Sequence, residues 1–208
     1  MKKFITLALM ALLFSTQACS QAVYWQEGKH YTVIAQKASD KPEVMEFFSY
    51  WCPACYNFEP IVEQIKKKLP DNVAFKKVHV NFMGFASKEV QDEVTKTMVA
   101  GRTLGLEAEV TAGIFNQIHV LRKPVTGYND LKDIFVANGV DGEKFDKAVK
   151  GFAVNSQFKA NNKLIDQYRS HLSGVPNFIV NGKYQAKFTR DMTGDDIVDL
   201  IVWLSTQN

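Results

Sequence analysis

Three cysteines occur in 208 residues, and two of them stand three apart in Cys52-Pro53-Ala54-Cys55. Proline suits the first turn of a helix, where its missing N–H costs nothing. Two cysteines at that spacing then share one side of the opening turn. The first sulfur lies beside the unpaired N–H groups and the positive end of the helix dipole. Both features favour a thiolate, the nucleophilic form of cysteine, at Cys52. Stabilising the reduced form makes the corresponding disulfide a stronger oxidant, by about 30 mV for each 1.4 kcal/mol. Cys55, one turn further in, is expected to be the buried resolving thiol. Two other readings compete. The pair is also half of a zinc site, but the other two ligands would have to come from His30, His79, His119 or His171, which stand singly and far apart, so no metal is expected. An inert structural disulfide is the other reading, although closing so short a loop constrains the unfolded chain little.

Such chemistry needs an oxidising compartment, and the N-terminus speaks to that. Lys2 and Lys3 precede the apolar run Phe4 to Phe14, and small or polar residues follow. This is the pattern of a secretory signal peptide over residues 1–22, cut after Ala18 or Ala22. The apolar run is too short to span a membrane. A second outcome is lipidation at Cys19, though Thr16 stands where a lipoprotein signal normally has leucine. Losing the two lysines leaves 23 basic against 22 acidic residues, net +1. That balance gives no footprint for nucleic acid or for an anionic membrane surface. Export implies that a disulfide would persist.

The elements around the pair follow from hydrophobic pattern. Tyr31 to Ile34 reads as a short strand, and Val44 to Phe48 as a strand buried on both faces, with Glu46 its one charged residue. Phe58, Ile61, Val62, Ile65 and Leu69 recur at helical spacing after Pro53, until Leu69-Pro70-Asp71-Asn72 breaks the pattern. Val73 to Val80 reads as a third strand, parallel to that of Val44 to Phe48. From about Met83 to Tyr168 the chain then reads as successive short helices. Val90, Val94 and Met98 mark one, Leu131, Ile134 and Phe135 another, Phe145 and Val149 a third, and Leu164, Ile165 and Tyr168 a last, with stops at Asn138-Gly139 and Lys150-Gly151. Strand character returns at Phe178 to Val180, where Asn181-Gly182 predicts a type I′ hairpin. Ile197, Leu200, Ile201 and Leu204 place an apolar stripe on a C-terminal helix. The result is an α/β core, residues 23–82 and 163–208, interrupted by a helical insert over 83–162.

The segment Phe47-Phe48-Ser49-Tyr50-Trp51-Cys52-Pro53-Ala54-Cys55-Tyr56 resembles the DsbA family of bacterial periplasmic thiol oxidases. The likeness continues through His79-Val80-Asn81-Phe82-Met83-Gly84, Gly174-Val175-Pro176 and Val180-Asn181-Gly182-Lys183-Tyr184, and covers nearly the whole chain beyond the signal. The resemblance implies a thioredoxin fold with a helical insert. It also implies a periplasmic, monomeric protein that passes its Cys52–Cys55 disulfide to reduced secreted proteins and is reoxidised by a quinone-linked membrane partner resembling DsbB. No cofactor beyond that disulfide is expected. The likeness makes Cys52 the nucleophile, Cys55 its buried partner and Pro176 a cis-proline beside them. The backbone of Val175 would then pair with an extended substrate segment. It also makes Glu46 a buried acid, joined by Glu59 and Lys77 in a charged cluster; the other reading of Glu46 is an exposed strand position.

At Ala54 the chain departs from the best-known members of this family, which carry histidine there. Alanine offers neither charge nor side-chain hydrogen bond to the thiolate, which predicts a milder oxidant. Tyr50 and Trp51 either line a substrate surface or pack into the core. Lys66-Lys67-Lys68 reads as a solvated helix face, and His79 as strand packing or surface. An isomerase or reductase would use the same chemistry, but relatives in that role carry an N-terminal dimerisation domain, and too few residues separate the signal from Val44 to hold one. A chaperone with incidental cysteines is the alternative from another functional class.

Overall fold

The structure is a computed structural model that describes residues 25–207; the expected signal peptide and Cys19 lie outside the described residues. Five strands form one mixed sheet. They are β1 (Tyr31–Val33), β2 (Glu43–Phe48), β3 (Ala74–His79), β4 (Asn177–Val180) and β5 (Tyr184–Ala186), in the order β1-β5-β4-β2-β3. β2 lies at the interior of the sheet, parallel to β3 and antiparallel to β4. Its parallel partner is reached through helix α1 (Pro53–Lys68), the crossover that a parallel pair requires.

Alternation along β2 sorts its side chains. Val44 faces α1 and the C-terminal helix, where Val62, Ile65 and Leu200 complete a core. Met45 and Phe47 point to the opposite face and pack with Ile165, Tyr168 and Leu172. By the same alternation Glu46 turns toward α1. The periodic runs in the middle of the chain form α2 (Lys88–Thr103), α4 (Tyr128–Ala137), α5 (Gly142–Lys150) and α6 (Phe152–Tyr168). One helix in this stretch lacked a clear sequence signal: α3 (Glu107–Phe115), which continues into a π-helical turn, Asn116–Val120. Leu106 caps α3 without a side-chain bond, so no capping residue marked its start.

α6 crosses the position between 162 and 163. Its Val154 packs in the core of the insert, while Ile165 and Tyr168 pack beneath the sheet. The helix thus contributes side chains to both cores. At the edge of the sheet, α6 also supplies Asn161, whose side chain donates to the carbonyl of His79 at 2.9 Å and accepts from its N–H at 3.1 Å. That satisfies backbone groups at the end of β3.

The predicted hairpin forms. Asn181 and Gly182 both take positive φ, 52° and 62°, as a type I′ turn requires. Asn181 does more than turn the chain. Its Oδ1 accepts from the N–H of Glu43 at 3.0 Å, and its amide reaches the carbonyls of Ser205 and Gln207 at 3.2 and 2.9 Å. Helix α7 (Gly194–Ser205) begins with a reciprocal capping box between Thr193 and Asp196 and buries Ile197, Leu200, Ile201 and Leu204 as expected.

Candidate active site

Chain direction and capping put Cys52 where it is. β2 ends at Phe48, a short turn follows in which the N–H of Cys52 donates to the carbonyl of Ser49 at 3.1 Å, and Cys52 becomes the N-cap of α1 with Pro53 next. Its Sγ accepts from the N–H of Cys55 at 3.3 Å, filling the capping role usually taken by a hydroxyl or carboxylate oxygen. On its other side the Cys52 thiol donates to the carbonyl of Val175 at 3.4 Å. The Val175–Pro176 peptide bond is cis, as the resemblance implied. Cys52 is 7% exposed and Cys55 wholly buried, so of the pair only Cys52 is reached from solvent. Both are free thiols in this structure. Burial raises the pKa of the Cys55 thiol far above the ordinary cysteine value; a backbone bond from Ser49 opposes this, and the adjacent Cys52 and Glu46 add to it.

The charged cluster assembles beneath the pair. Glu46 on β2 and Lys77 on β3 are register partners, and the Lys77 ammonium lies 2.8 Å from Glu46 Oε2 and 2.6 Å from Glu59 Oε1 on α1. Glu46 is fully buried, and its Oε1 has no hydrogen-bond partner. Burial holds the Glu46 pKa above the usual carboxylate value despite the pull of Lys77. Burial also works against the charge on Lys77, but the two carboxylates outweigh it and its pKa rises. Glu59 and Lys77 line a cleft of about 1190 Å³ between α1 and α3, so the cluster connects the buried site to solvent.

Of the other residues singled out from sequence, Tyr50 belongs to the core. Its ring is fully buried and its hydroxyl lies 3.1 Å from that of Thr111. Trp51, half-buried, packs against the same core. The three lysines of α1 are exposed. His79 is buried within 5.0 Å of the Tyr50 ring and 6.0 Å of Trp51.

The pattern reading gave His119 no role, but the structure places it at the site. It sits on the π-helical turn, its ring 5.0 Å from that of Tyr56 at 9°, and its Nε2 lies 2.8 Å from the carbonyl oxygen of Tyr50. A lone histidine in an unpredicted helix offers no pattern, and only the tertiary fold brings it here. Among the described residues no group of three or more His, Cys, Asp or Glu side chains could hold a metal ion.

A cysteine pair opening the helix after an interior strand, with a cis-proline loop against the first sulfur, defines a thiol:disulfide oxidoreductase on a thioredoxin fold. Residues 43–201 match the family described as DSBA-like thioredoxin domain, and the chain belongs to it. The thiol:disulfide interchange protein DsbA of Escherichia coli K12 is 35% identical over 189 residues, covering 89% of this chain and 86% of that protein. The DsbA of Haemophilus influenzae is 36% identical over 176 residues, covering 83% and 82%. Among solved structures, the disulfide oxidoreductase DsbA of Proteus mirabilis superposes with a TM-score of 0.78 at 26% identity, covering 88% of this chain and 98% of its own. A cysteine-to-serine variant of that DsbA in complex with a non-covalently bound peptide, PWATCDS, gives 0.76 at 26% identity, covering 88% and 100%.

Proposed function

We propose that this protein is a periplasmic disulfide donor, and that Cys52 and Cys55 carry the exchange. The observation that carries this reading is the placement of Cys52 Sγ between the N–H of Cys55 and the Val175 carbonyl, with Cys55 buried behind it. A client thiolate attacks the Cys52 sulfur, the more accessible of the two in the Cys52–Cys55 disulfide. A mixed disulfide forms at Cys52 and Cys55 leaves with the electron pair. A second client thiolate then attacks the client sulfur of that mixed disulfide and releases Cys52 as a thiolate stabilised by the helix N-terminus. The client gains one disulfide, and the protein gains two electrons and is left with two thiols. A membrane oxidase resembling DsbB, linked to quinone, reverses the exchange.

The raised pKa of the Cys55 thiol means that its sulfur takes up a proton as it leaves. Glu46 acts as the near proton store, and Lys77 and Glu59 relay protons to the cleft. Pro53 and Ala54 complete the opening of the helix, and Pro176 holds the facing loop. The Val175 backbone beside Cys52 gives an extended client segment a pairing edge without sequence preference. The peptide held by the Proteus mirabilis relative accords with such a site. The protein works as a monomer on reduced secreted proteins.

Equilibration with glutathione tests the reading. An oxidase requires a potential well above the roughly −270 mV of reducing thioredoxins. A value at that reducing level overturns it.

A further inference from the structure

The segment from Ser49 to Cys52 is held from one side by its own helix and from the other by the insert. Between the cysteines, Pro53 and Ala54 carry no polar side-chain atom. Besides the Val175 carbonyl at Cys52 and the Thr111 hydroxyl at Tyr50, one polar side chain approaches the backbone of this segment from the π-helical turn after α3. His119 Nε2 lies 2.8 Å from the carbonyl oxygen of Tyr50, two residues before Cys52. A carbonyl oxygen only accepts, so the imidazole donates and its Nε2 carries the hydrogen. The ring is fixed in that pose by two neighbours. It stacks at 9° on Tyr56, the residue that follows Cys55, and packs at 5.9 Å from Phe115. The extra residue of a π-helical turn rotates the side chains that follow it, and such turns recur at functional sites. Here that rotation aims one imidazole at the active-site turn.

We propose that His119 is a positioning residue of the thiol–disulfide site, which holds the Tyr50 carbonyl by hydrogen bonding and so favours the dithiol form of Cys52–Cys55. The inference rests on the disulfide-exchange reading above. Its physical basis is the dipole of the Tyr50 carbonyl. That carbonyl belongs to the active-site turn, two residues before the sulfur that becomes anionic. With the imidazole N–H upon it, the negative potential at Cys52 is reduced. The bond also ties the helical insert to the turn that sets the Cys52 backbone, through the Ser49 carbonyl that accepts from the Cys52 N–H. The acceptor is a main-chain atom, which substitution of Tyr50 or Tyr56 leaves in place. The donor can therefore be removed without touching the cysteines, the charged cluster or the Val175 loop.

Two variants separate the donor from the ring. His119→Phe keeps a ring on Tyr56 and removes the N–H; His119→Gln keeps an N–H donor and removes the ring. The redox equilibrium constant with glutathione is measured for both and for the unsubstituted protein, with thermal unfolding as a check on folding. We expect His119→Phe to be a weaker oxidant by about threefold, within the range of one ordinary hydrogen bond. His119→Gln should stay within about twofold of the unsubstituted protein, as retention of the donor requires. An unchanged constant in His119→Phe overturns the inference. So does an equal fall in both variants, which would assign the effect to ring packing. The ratio between proteins reads His119, whereas the absolute constant of the unsubstituted protein reads the oxidase proposal, so the two can fail separately.

Discussion

His79 links the active-site turn to the acid stability of the whole protein. Its Nδ1 lies 2.8 Å from the hydroxyl of Thr95, and that hydroxyl donates its single hydrogen to the carbonyl of Gln91 at 2.9 Å. Thr95 must therefore accept from His79, which places the ring hydrogen on Nδ1 and leaves a lone pair on Nε2. Nε2 is buried without a partner. Burial pushes the pKa of this imidazole down to about 3 from an ordinary 6.5. The unfolded chain thus takes up a proton below pH 6.5, and the folded protein does so only near pH 3. Stability from this group is complete above pH 6.5 and is lost as pH falls toward 3, at up to about 1.4 kcal/mol per unit. The full window amounts to something on the order of 4–5 kcal/mol. Urea unfolding of the native protein and of His79→Phe at pH 7, 6, 5 and 4 isolates this slope, because other titrating groups are shared. The variant should lose stability less steeply with acid, the gap between the two curves changing by about 1.4 kcal/mol per unit below pH 6. Parallel curves would refute the reasoning and mean that the folded site accepts a proton on His79 at little cost.

Further consequences follow from the same geometry. Lys77→Met leaves Glu46 buried beside Glu59 without a cation, and should cost about 3 kcal/mol at neutral pH by urea unfolding. The loss should shrink as pH falls, because a protonated Glu46 no longer needs the partner. Glu46→Gln removes a negative group that helps raise the Cys55 thiol and should favour the dithiol form in the glutathione equilibrium; an unchanged constant would remove Glu46 from the chemistry. Tyr50→Phe deletes the hydroxyl that meets Thr111 and should lower stability by about 1 kcal/mol in the same unfolding assay. Asn181→Ala loses the bonds to Glu43, Ser205 and Gln207 and places a less tolerant residue at positive φ, and should cost about 2–3 kcal/mol.

Where local pattern and tertiary environment agreed, the fold was legible in the residues. Val44 to Phe48 is apolar because β2 is covered on both faces, and Asn181-Gly182 marks its turn because few residues accept positive φ in sequence. Cys52 and Cys55 were legible as a pair since their chemistry depends on a local helix start. Glu46 showed only as an anomaly; its role needed the register that sets it opposite Lys77, and α1 to bring Glu59 over both. α3 escaped because it lacks a side-chain cap and a pronounced apolar stripe. His119 was illegible for the same reason, since its significance depends on a π-helical turn docking against a main-chain carbonyl. Tyr50 shows the converse case. An aromatic residue beside the cysteines left substrate surface and core equally open, and the insert decides for the core at Tyr50 while leaving Trp51 partly exposed.

The central claim is that the Cys52–Cys55 disulfide is passed to other proteins. Oxidative refolding of a reduced multi-disulfide protein by stoichiometric amounts of the oxidised chain tests it most directly. Client activity should recover with stoichiometric appearance of free thiols on this protein, and should not recover with the Cys52→Ser/Cys55→Ser double variant. Equal recovery with the double variant would contradict it and assign the protein a chaperone role.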